Sequence, residues 1–113
     1  MSNLPELDPL VHSQARLGAL SILSGAEEAE FTYLRDRLAT SDGNLSVHLG
    51  KLEKAGYVSV KKRFVERKPV TLYRITERGR EALLRYVRNL QALLGAGAHD
   101  DLRTTDPRKR GRK

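Results

Sequence analysis

The sequence predicts a mostly helical α+β domain in which three helices precede a β-hairpin and one long helix follows it. Apolar residues recur at three- and four-residue spacing before residue 56 and again after residue 76, as they do along one face of a helix. Between these segments apolar and polar residues alternate, which is the pattern of strands. The 113 residues have room for one domain with a modest core.

The first helix is predicted over about residues 9–24. Asp8 can accept backbone N–H bonds at a helix start, and Pro9 is tolerated at the first helical position. Gly25 favours an end to the helix. The apolar residues that recur at helical spacing are Leu10, Leu17 and Leu20.

The second helix is predicted to be short. It follows an acidic segment, residues 26–30, which we interpret as a loop. Thr32 is the candidate N-cap of a helix over residues 33–39, in which Leu34 and Leu38 share one face.

The third helix is predicted to begin after Thr40 or Ser41, to run to about Ala55 and to end at Gly56. At 100° per residue, one face is apolar and carries Leu45, Leu49 and Leu52. The opposite face is almost bare of bulk and carries Gly43, Val47, Gly50 and Lys54, flanked by Asn44 and Lys51. Such a face can sit deep in a major groove, but it is also compatible with an ordinary amphipathic helix whose outer glycines only lower its propensity.

The remaining elements follow from a change of period. Residues 57–64 and 70–76 read as two strands joined by a turn over residues 65–69. Thr76 can cap a last helix, about residues 77–94. Its apolar positions are Leu83, Tyr86, Val87, Leu90, Leu93 and Leu94. Residues 95–113 combine glycine, proline and charges without periodicity and are predicted to be a disordered basic tail.

Positive charge is concentrated in one part of the chain. The net charge is +7, but residues 1–50 hold three arginines against seven acids, whereas residues 51–80 hold ten basic residues against three acids. A clustered positive field attracts polyanions at physiological salt. On charge alone, a polyanion-binding surface and a solvated charged face explain the pattern equally well.

Several classes of protein are not indicated. No apolar run approaches the roughly 18 to 20 residues of a membrane-spanning helix, and the acidic N-terminus does not resemble a secretory signal, so a cytoplasmic protein is expected. The chain has no cysteine, and its three histidines, His12, His48 and His99, are scattered, so no metal site or other cofactor is expected. The sequence has no glycine-rich phosphate loop and no nucleophile motif, and we predict that the protein is not an enzyme.

Two motifs carry a family resemblance. They are Leu-Ser-x-His-Leu-x-x-Leu-x-x-x-Gly-Tyr-Val, from Leu45 to Val58, and Tyr-Arg-Ile-Thr-x-x-Gly-Arg, from Tyr73 to Arg80. With these motifs the chain, over about residues 10–92, resembles the winged helix-turn-helix of MarR/ArsR-type bacterial transcriptional regulators, especially their small single-domain members. The resemblance implies a homodimer on a pseudo-palindromic operator, with the third helix (about residues 42–55) in the major groove and the hairpin tip, the wing (residues 63–69), at the backbone or minor groove.

The bare face of the third helix, the clustered charge and the family resemblance together indicate candidate DNA contacts. Asn44 and Val47 are the candidates for base contacts, because an amide can pair with an adenine edge and Val can touch a thymine methyl. Arg67 is the first candidate for the minor groove, although Glu66 beside it opposes deep insertion. The candidate phosphate contacts are Ser41, Ser46, Lys51 and Lys54, with Arg63 and Lys68 completing the basic wing. Ser41 is equally suited to capping and Ser46 to an exposed hydroxyl. His48, on the border of the core face, is a further candidate phosphate contact, although closing the hydrophobic layer is the favoured role.

The first and last helices are the candidate dimer interface, through Leu17, Leu83, Val87, Leu90 and Leu94, although packing within one chain could also use these residues. The tail would attract DNA at long range or serve only solubility.

Two other functions remain open, a winged-helix module for protein contacts and a basic RNA-binding module. The chain has two Phe and four Tyr, and no exposed aromatic pair is predicted for stacking RNA bases. The sequence does not indicate an effector, and ArsR-like metal sensing is not supported.

Overall fold

The computed structural model describes residues 4–104, with side chains described as far as residue 96. Along the chain the elements are α1 (Gln14–Ser24), β1 (Ala29–Glu30), α2 (Phe31–Leu38), α3 (Asp42–Lys54), β2 (Val58–Val65), β3 (Lys68–Ile75) and α4 (Glu77–Thr104). The predicted mostly helical α+β fold, with its hairpin between the third and the last helix, is confirmed.

The first helix starts later than predicted. Asp8 caps a single turn, since its Oδ1 accepts from the Leu10 N–H at 2.9 Å and its carbonyl accepts from His12 N–H at 2.8 Å. The backbone then becomes extended at Ser13, with φ −156°. The Ser13 hydroxyl accepts from the Arg16 N–H at 3.3 Å, so Ser13 rather than Asp8 is the cap of α1.

The second helix begins at Phe31, and the expectation that Thr32 caps it is wrong. Thr32 lies inside α2, and the cap position is Glu30, whose side chain makes no capping bond. Glu30 instead belongs to β1, so the strand's backbone sets the start of the helix. At the other end Ala39 has φ 52°, the left-handed conformation that turns the chain toward α3.

The third helix agrees with the sequence. Of the two predicted caps the structure selects Ser41, whose Oγ accepts from the Asn44 N–H at 3.2 Å. The helix ends at Lys54 with Ala55 as its C-cap, and Gly56 follows with φ 82°, a conformation that side chains other than glycine rarely adopt.

The sheet has one strand more than predicted and a tighter turn. The strand order is β1-β3-β2, because Ala29 and Glu30, assigned to a loop from the sequence, pair with Tyr73 and Leu72 of β3. The β2–β3 turn contains only Glu66 and Arg67, both with positive φ as in a type I′ hairpin turn. Pro69, which was predicted to lie in the turn, pairs with Phe64 of β2. This position lies beyond the end of β1, so one side of β3 is a sheet edge here and tolerates proline.

The last helix continues to Thr104, ten residues beyond its predicted end at Leu94. The two glycines of Gly95-Ala-Gly97-Ala each cost roughly 1 kcal/mol of helix propensity, and their alanine neighbours are the best helix formers. The predicted tail is therefore helical over residues 95–104. Residues 105–113 lie outside the described residues.

The core lies between the four helices and one face of the sheet. Leu20 and Leu23 of α1 meet Leu34 of α2 and the inner face of α3. The buried residues that complete this core are Val11, Ala19, Ala29, Leu45, Leu49, Leu52, Val58, Ala82, Leu83 and Tyr86. Among the described residues, no helix combines the length and apolarity that crossing a bilayer requires.

We predict that Ala39→Gly raises the free energy of unfolding by about 1 kcal/mol, because glycine adopts the positive φ of this position without steric cost. Ala55→Gly is the matched control. Ala55 has φ −79°, so the same substitution there should lower the free energy of unfolding. Urea unfolding of both variants tests this, and equal effects would contradict the described backbone at Ala39.

Candidate nucleic-acid interface

The outer face of α3 is exposed and has little bulk at its centre. The inner face is fully packed, since Leu45, Leu49 and Leu52 are at most 1% exposed. On the outer face Val47 is 57% exposed, and a Cβ built on Gly43 or Gly50 would meet nothing within 4 Å. The predicted contact residues Asn44, Ser46, Lys51 and Lys54 are also exposed. The face is therefore open to a large partner along its whole length.

The N-terminal end of α3 is held by side chains from the turn and from α2. The Ser41 hydroxyl is engaged as the N-cap, which is the structural role weighed for it from the sequence. The Arg35 guanidinium donates to Asp42 at 3.0 Å and thereby ties α2 to the first turn of α3. The pKa of Arg35 is raised, chiefly by this hydrogen bond to Asp42 and also by Asp36. Within the described residues, the Asn44 side chain makes no hydrogen bond and is available to a partner.

His48 faces the border between the core and the outer surface, where it contacts α1. Its Nδ1 lies 2.9 Å from Nη1 of Arg16. Because a guanidinium only donates, this Nδ1 must be the unprotonated acceptor, which leaves the Nε2–H as the free donor of a neutral ring. The pKa of His48 is lowered, first by burial and then by the charges of Arg16 and Lys51. The ring therefore links α3 to α1 in its neutral form.

The C-terminal end of α3 is joined to the hairpin base and to α4 by Thr76. The Thr76 hydroxyl donates to the Gly56 carbonyl at 2.6 Å and accepts from the Gly79 N–H at 3.0 Å. Gly79 packs so tightly here that a Cβ would overlap the Tyr57 carbonyl. The motif from Tyr73 to Arg80 thus fixes where the hairpin leaves the body of the domain.

The wing does not present all of its predicted cations in the same direction. Arg67 lies in the turn and Lys68 opens β3, and both are exposed. Arg63 points to the sheet face opposite the core-facing Val58, by strand alternation, and its Nη2 contacts Glu28 at 3.1 Å. The guanidinium of Arg63 is therefore paired with the acidic segment before α2. Of Arg63 and Arg67, Arg67 is the better placed for a phosphate or groove contact.

The predicted dimer residues divide into two groups. Leu83 is buried in the chain's own core, and Leu17 and Leu90 are partly buried and pack against this core. Val87 and Leu94 on α4 are 40% and 62% exposed, and Leu84, which was not among the predicted dimer residues, is also exposed. An apolar strip thus remains on α4 after the chain has packed.

Some residues of this region were missed from the sequence. Arg16 and Glu28 carry no motif, and their roles depend on contacts with His48 and Arg63 that are 32 and 35 residues away in the chain. Helical periodicity locates the faces of α3 but cannot locate such long-range partners. Among the described side chains, residues 4–96, no group of three His, Cys, Asp or Glu residues is placed to hold a metal ion.

Comparisons with known proteins agree with this geometry. A family model described as a winged helix DNA-binding domain matches residues 15–94. An uncharacterised protein of Methanocaldococcus jannaschii is 40% identical over 78 residues, which cover 69% of this chain and 85% of that protein. A solved structure of a transcriptional regulator homologue from Pyrococcus horikoshii is 30% identical, with 77% of this chain and 86% of that chain covered and a TM-score of 0.72. A MarR family transcriptional regulator from Streptomyces coelicolor is also 30% identical, with 74% and 59% covered and a TM-score of 0.59.

The lowered pKa of His48 predicts a dependence of stability on pH. Since the ordinary histidine pKa is about 6.5, the unfolded chain takes up a proton at a pH where folded His48 is still neutral. The free energy of unfolding should therefore fall as the pH decreases below about 6.5. His48→Gln, which cannot titrate, should remove this part of the dependence. Urea unfolding of the parent and the variant at pH 7.5 and 5.5 measures it, and an identical loss in both would exclude His48 as its source.

Proposed function

Because the chain belongs to the winged helix DNA-binding domain family and is a DNA-binding regulator of transcription, we propose that it acts as a homodimer on a pseudo-palindromic operator. In this proposal α3 lies in the major groove and the wing lies along the backbone or in the minor groove. The resemblance to MarR-type regulators seen in the two sequence motifs agrees with the family match and with the Streptomyces coelicolor relative.

The observation that carries the proposal is the bare outer face of α3. Short side chains allow a helix to approach the base edges closely, and Gly43 and Gly50 leave open space on this face. Exposed Asn44 and Val47 supply a hydrogen-bonding group and a methyl surface on that face. Lys51 and Lys54 follow in the second half of the helix, where ammonium groups can hold phosphates.

The neighbouring groups divide into phosphate contacts and supports. Ser46 is exposed and can donate to a phosphate, whereas Ser41 contributes through the cap that fixes the start of α3. His48 can donate from Nε2 while Arg16 holds its Nδ1. Arg67 and Lys68 supply the wing contacts, with Arg63 the weakest candidate because Glu28 neutralises it. The basic residues after Pro107 would add long-range attraction to DNA without discrimination.

The dimer part of the proposal is supported by the exposed strip on α4. Val87 and Leu94 lie within about 20° of each other around the helix and are exposed in the described part of the chain. A second copy would cover the same strip on both subunits, as an isologous two-fold interface requires. Two α3 helices related by a two-fold axis could then read two half-sites about one helical turn apart.

We predict that substitutions on α3 separate base reading from phosphate binding. Asn44→Ala and Val47→Ala should each change the preferred base at one position, at a cost of about 1 to 3 kcal/mol for the original base. Lys51→Ala should weaken binding to all duplexes and reduce the slope of log affinity against log salt by roughly 0.9 for each of the two Lys51 side chains of the dimer. Selections on randomised duplexes, followed by salt titrations of the selected sequences, measure both effects.

Arg88→Ala is the matched control for charge, because it removes one exposed cation from α4 rather than from α3. It should leave the selected sequence unchanged. If all three α3 variants keep the preference and the affinity of the parent, α3 is not the helix that reads DNA, and the proposal fails.

We predict that the double variant Val87→Glu with Leu94→Glu is monomeric at micromolar concentrations where the parent is a dimer. Charged groups would have to be buried without partners in the interface, which is strongly unfavourable. Val65→Glu, an exposed apolar position on the hairpin, is the control and should remain dimeric. Light scattering gives the masses, and a monomeric parent would remove the dimer from the proposal.

A further inference from the structure

One aromatic side chain on the hairpin lies outside the core that the described residues form. Phe64 is 74% exposed, the highest fraction among the large apolar side chains that the structure describes. Burying a phenylalanine side chain contributes about 1.5 to 3 kcal/mol, and this contribution is largely unrealised in the free chain. Strand β2 would pair with β3 equally well with a polar residue at this exposed position.

Strand alternation directs Phe64 to the same side of the sheet as the helices. It shares the parity of Val58, which lies in the core between the sheet and the helices. The pairing of β2 with β3 is continuous from Val58 opposite Ile75 to Val65 opposite Lys68, so no bulge reverses this direction. Phe64 therefore lies on the helix side of the sheet, and Arg63 lies on the other side.

The surroundings of Phe64 are apolar at the centre and basic at the edges. Its cross-strand partner is Pro69, whose ring adds apolar surface and whose missing N–H leaves no donor to solvate. Lys62 lies two residues earlier on the same face, and Arg67 follows in the turn. Residues 61–71 hold five basic side chains and one acid. The charge complements a polyanion rather than a typical protein interface, whose core is depleted of charge.

We propose that Phe64, backed by Pro69, is an apolar wedge that enters the minor groove of the bound duplex and packs against the sugars and the edge of one base step. This inference rests on the proposed function and adds a contact that the basic wing residues cannot make. Apolar side chains at such positions partly unstack a base step and bend the duplex. Pyrimidine–purine steps unstack most easily, so the wedge selects a flexible step outside the sequence that α3 reads.

The experiment uses the full chain and a duplex carrying the sequence selected by the parent protein. Three variants are compared. Phe64→Ala removes the wedge, Phe64→Leu keeps an apolar side chain, and Val65→Ala trims the adjacent exposed residue on the opposite sheet face. Affinity is measured by fluorescence anisotropy, and bending by energy transfer between dyes at the two duplex ends. Light scattering of each free variant records its oligomeric mass.

Phe64→Ala is expected to lose roughly tenfold in affinity and to reduce the bend, which corresponds to partial burial of the ring. Phe64→Leu should retain most of both, and Val65→Ala should behave as the parent. The wedge is excluded if Phe64→Ala binds and bends the duplex as Val65→Ala does. It is also excluded if Phe64→Ala changes the oligomeric mass, since Phe64 would then contact a second copy. A parent protein that selects no duplex would instead refute the proposed function itself.

Discussion

The hydroxyl of Thr76 is hydrogen-bonded on both sides, to the Gly56 carbonyl after α3 and to the Gly79 N–H at the start of α4. The whole β2–β3 hairpin lies between Gly56 and Thr76 in the chain, so the bond to Gly56 closes its base, while the bond from Gly79 caps the start of α4. Gly79 allows the closure because any larger residue would overlap the Tyr57 carbonyl. The directions of α3, the hairpin and α4 are consequently fixed where Thr76 contacts Gly56 and Gly79. The relative positions of α3 and the wing on the proposed DNA-binding surface depend on these contacts.

The opposite faces of α3 meet different demands. Its inner leucines are fully buried, and the helix packs against α1 and β2. Gly18 of α1 lets Leu38 of α2 approach so closely that a Cβ would come within 2.7 Å of it. The outer glycines of α3 contribute nothing to packing and lower the helix propensity by up to about 1 kcal/mol each. That cost is offset by the capping bond of Ser41 and by the tie from Arg35 to Asp42, which hold the helix from its N-terminal end.

The sequence predicted the elements whose signals are local and periodic. Leucine spacing located α3 and its core face, and Ser41 and Gly56 marked its ends. The errors came from competition between local signals and long-range contacts. Asp8 has the features of a helix cap but caps only one turn, because the backbone becomes extended at Ser13 and α1 begins after it. Strand β1 was missed because it has only two residues and no alternating pattern. The bond between Arg63 and Glu28 could not be predicted, since it joins residues 35 positions apart.

Sequence-specific binding by this fold requires that α3 is the element next to the bases. The chain has no cysteine, so a single thiol introduced at Lys54 or at Ser21 can carry an iron chelate that cleaves nearby DNA. Lys54 ends α3, whereas Ser21 is exposed on α1. We expect the probe on Lys54→Cys to cut the selected duplex at two symmetric positions about one helical turn apart, or a multiple of it, and the probe on Ser21→Cys to leave it intact. Cleavage from Ser21→Cys with none from Lys54→Cys would contradict the assignment of α3 as the reading helix.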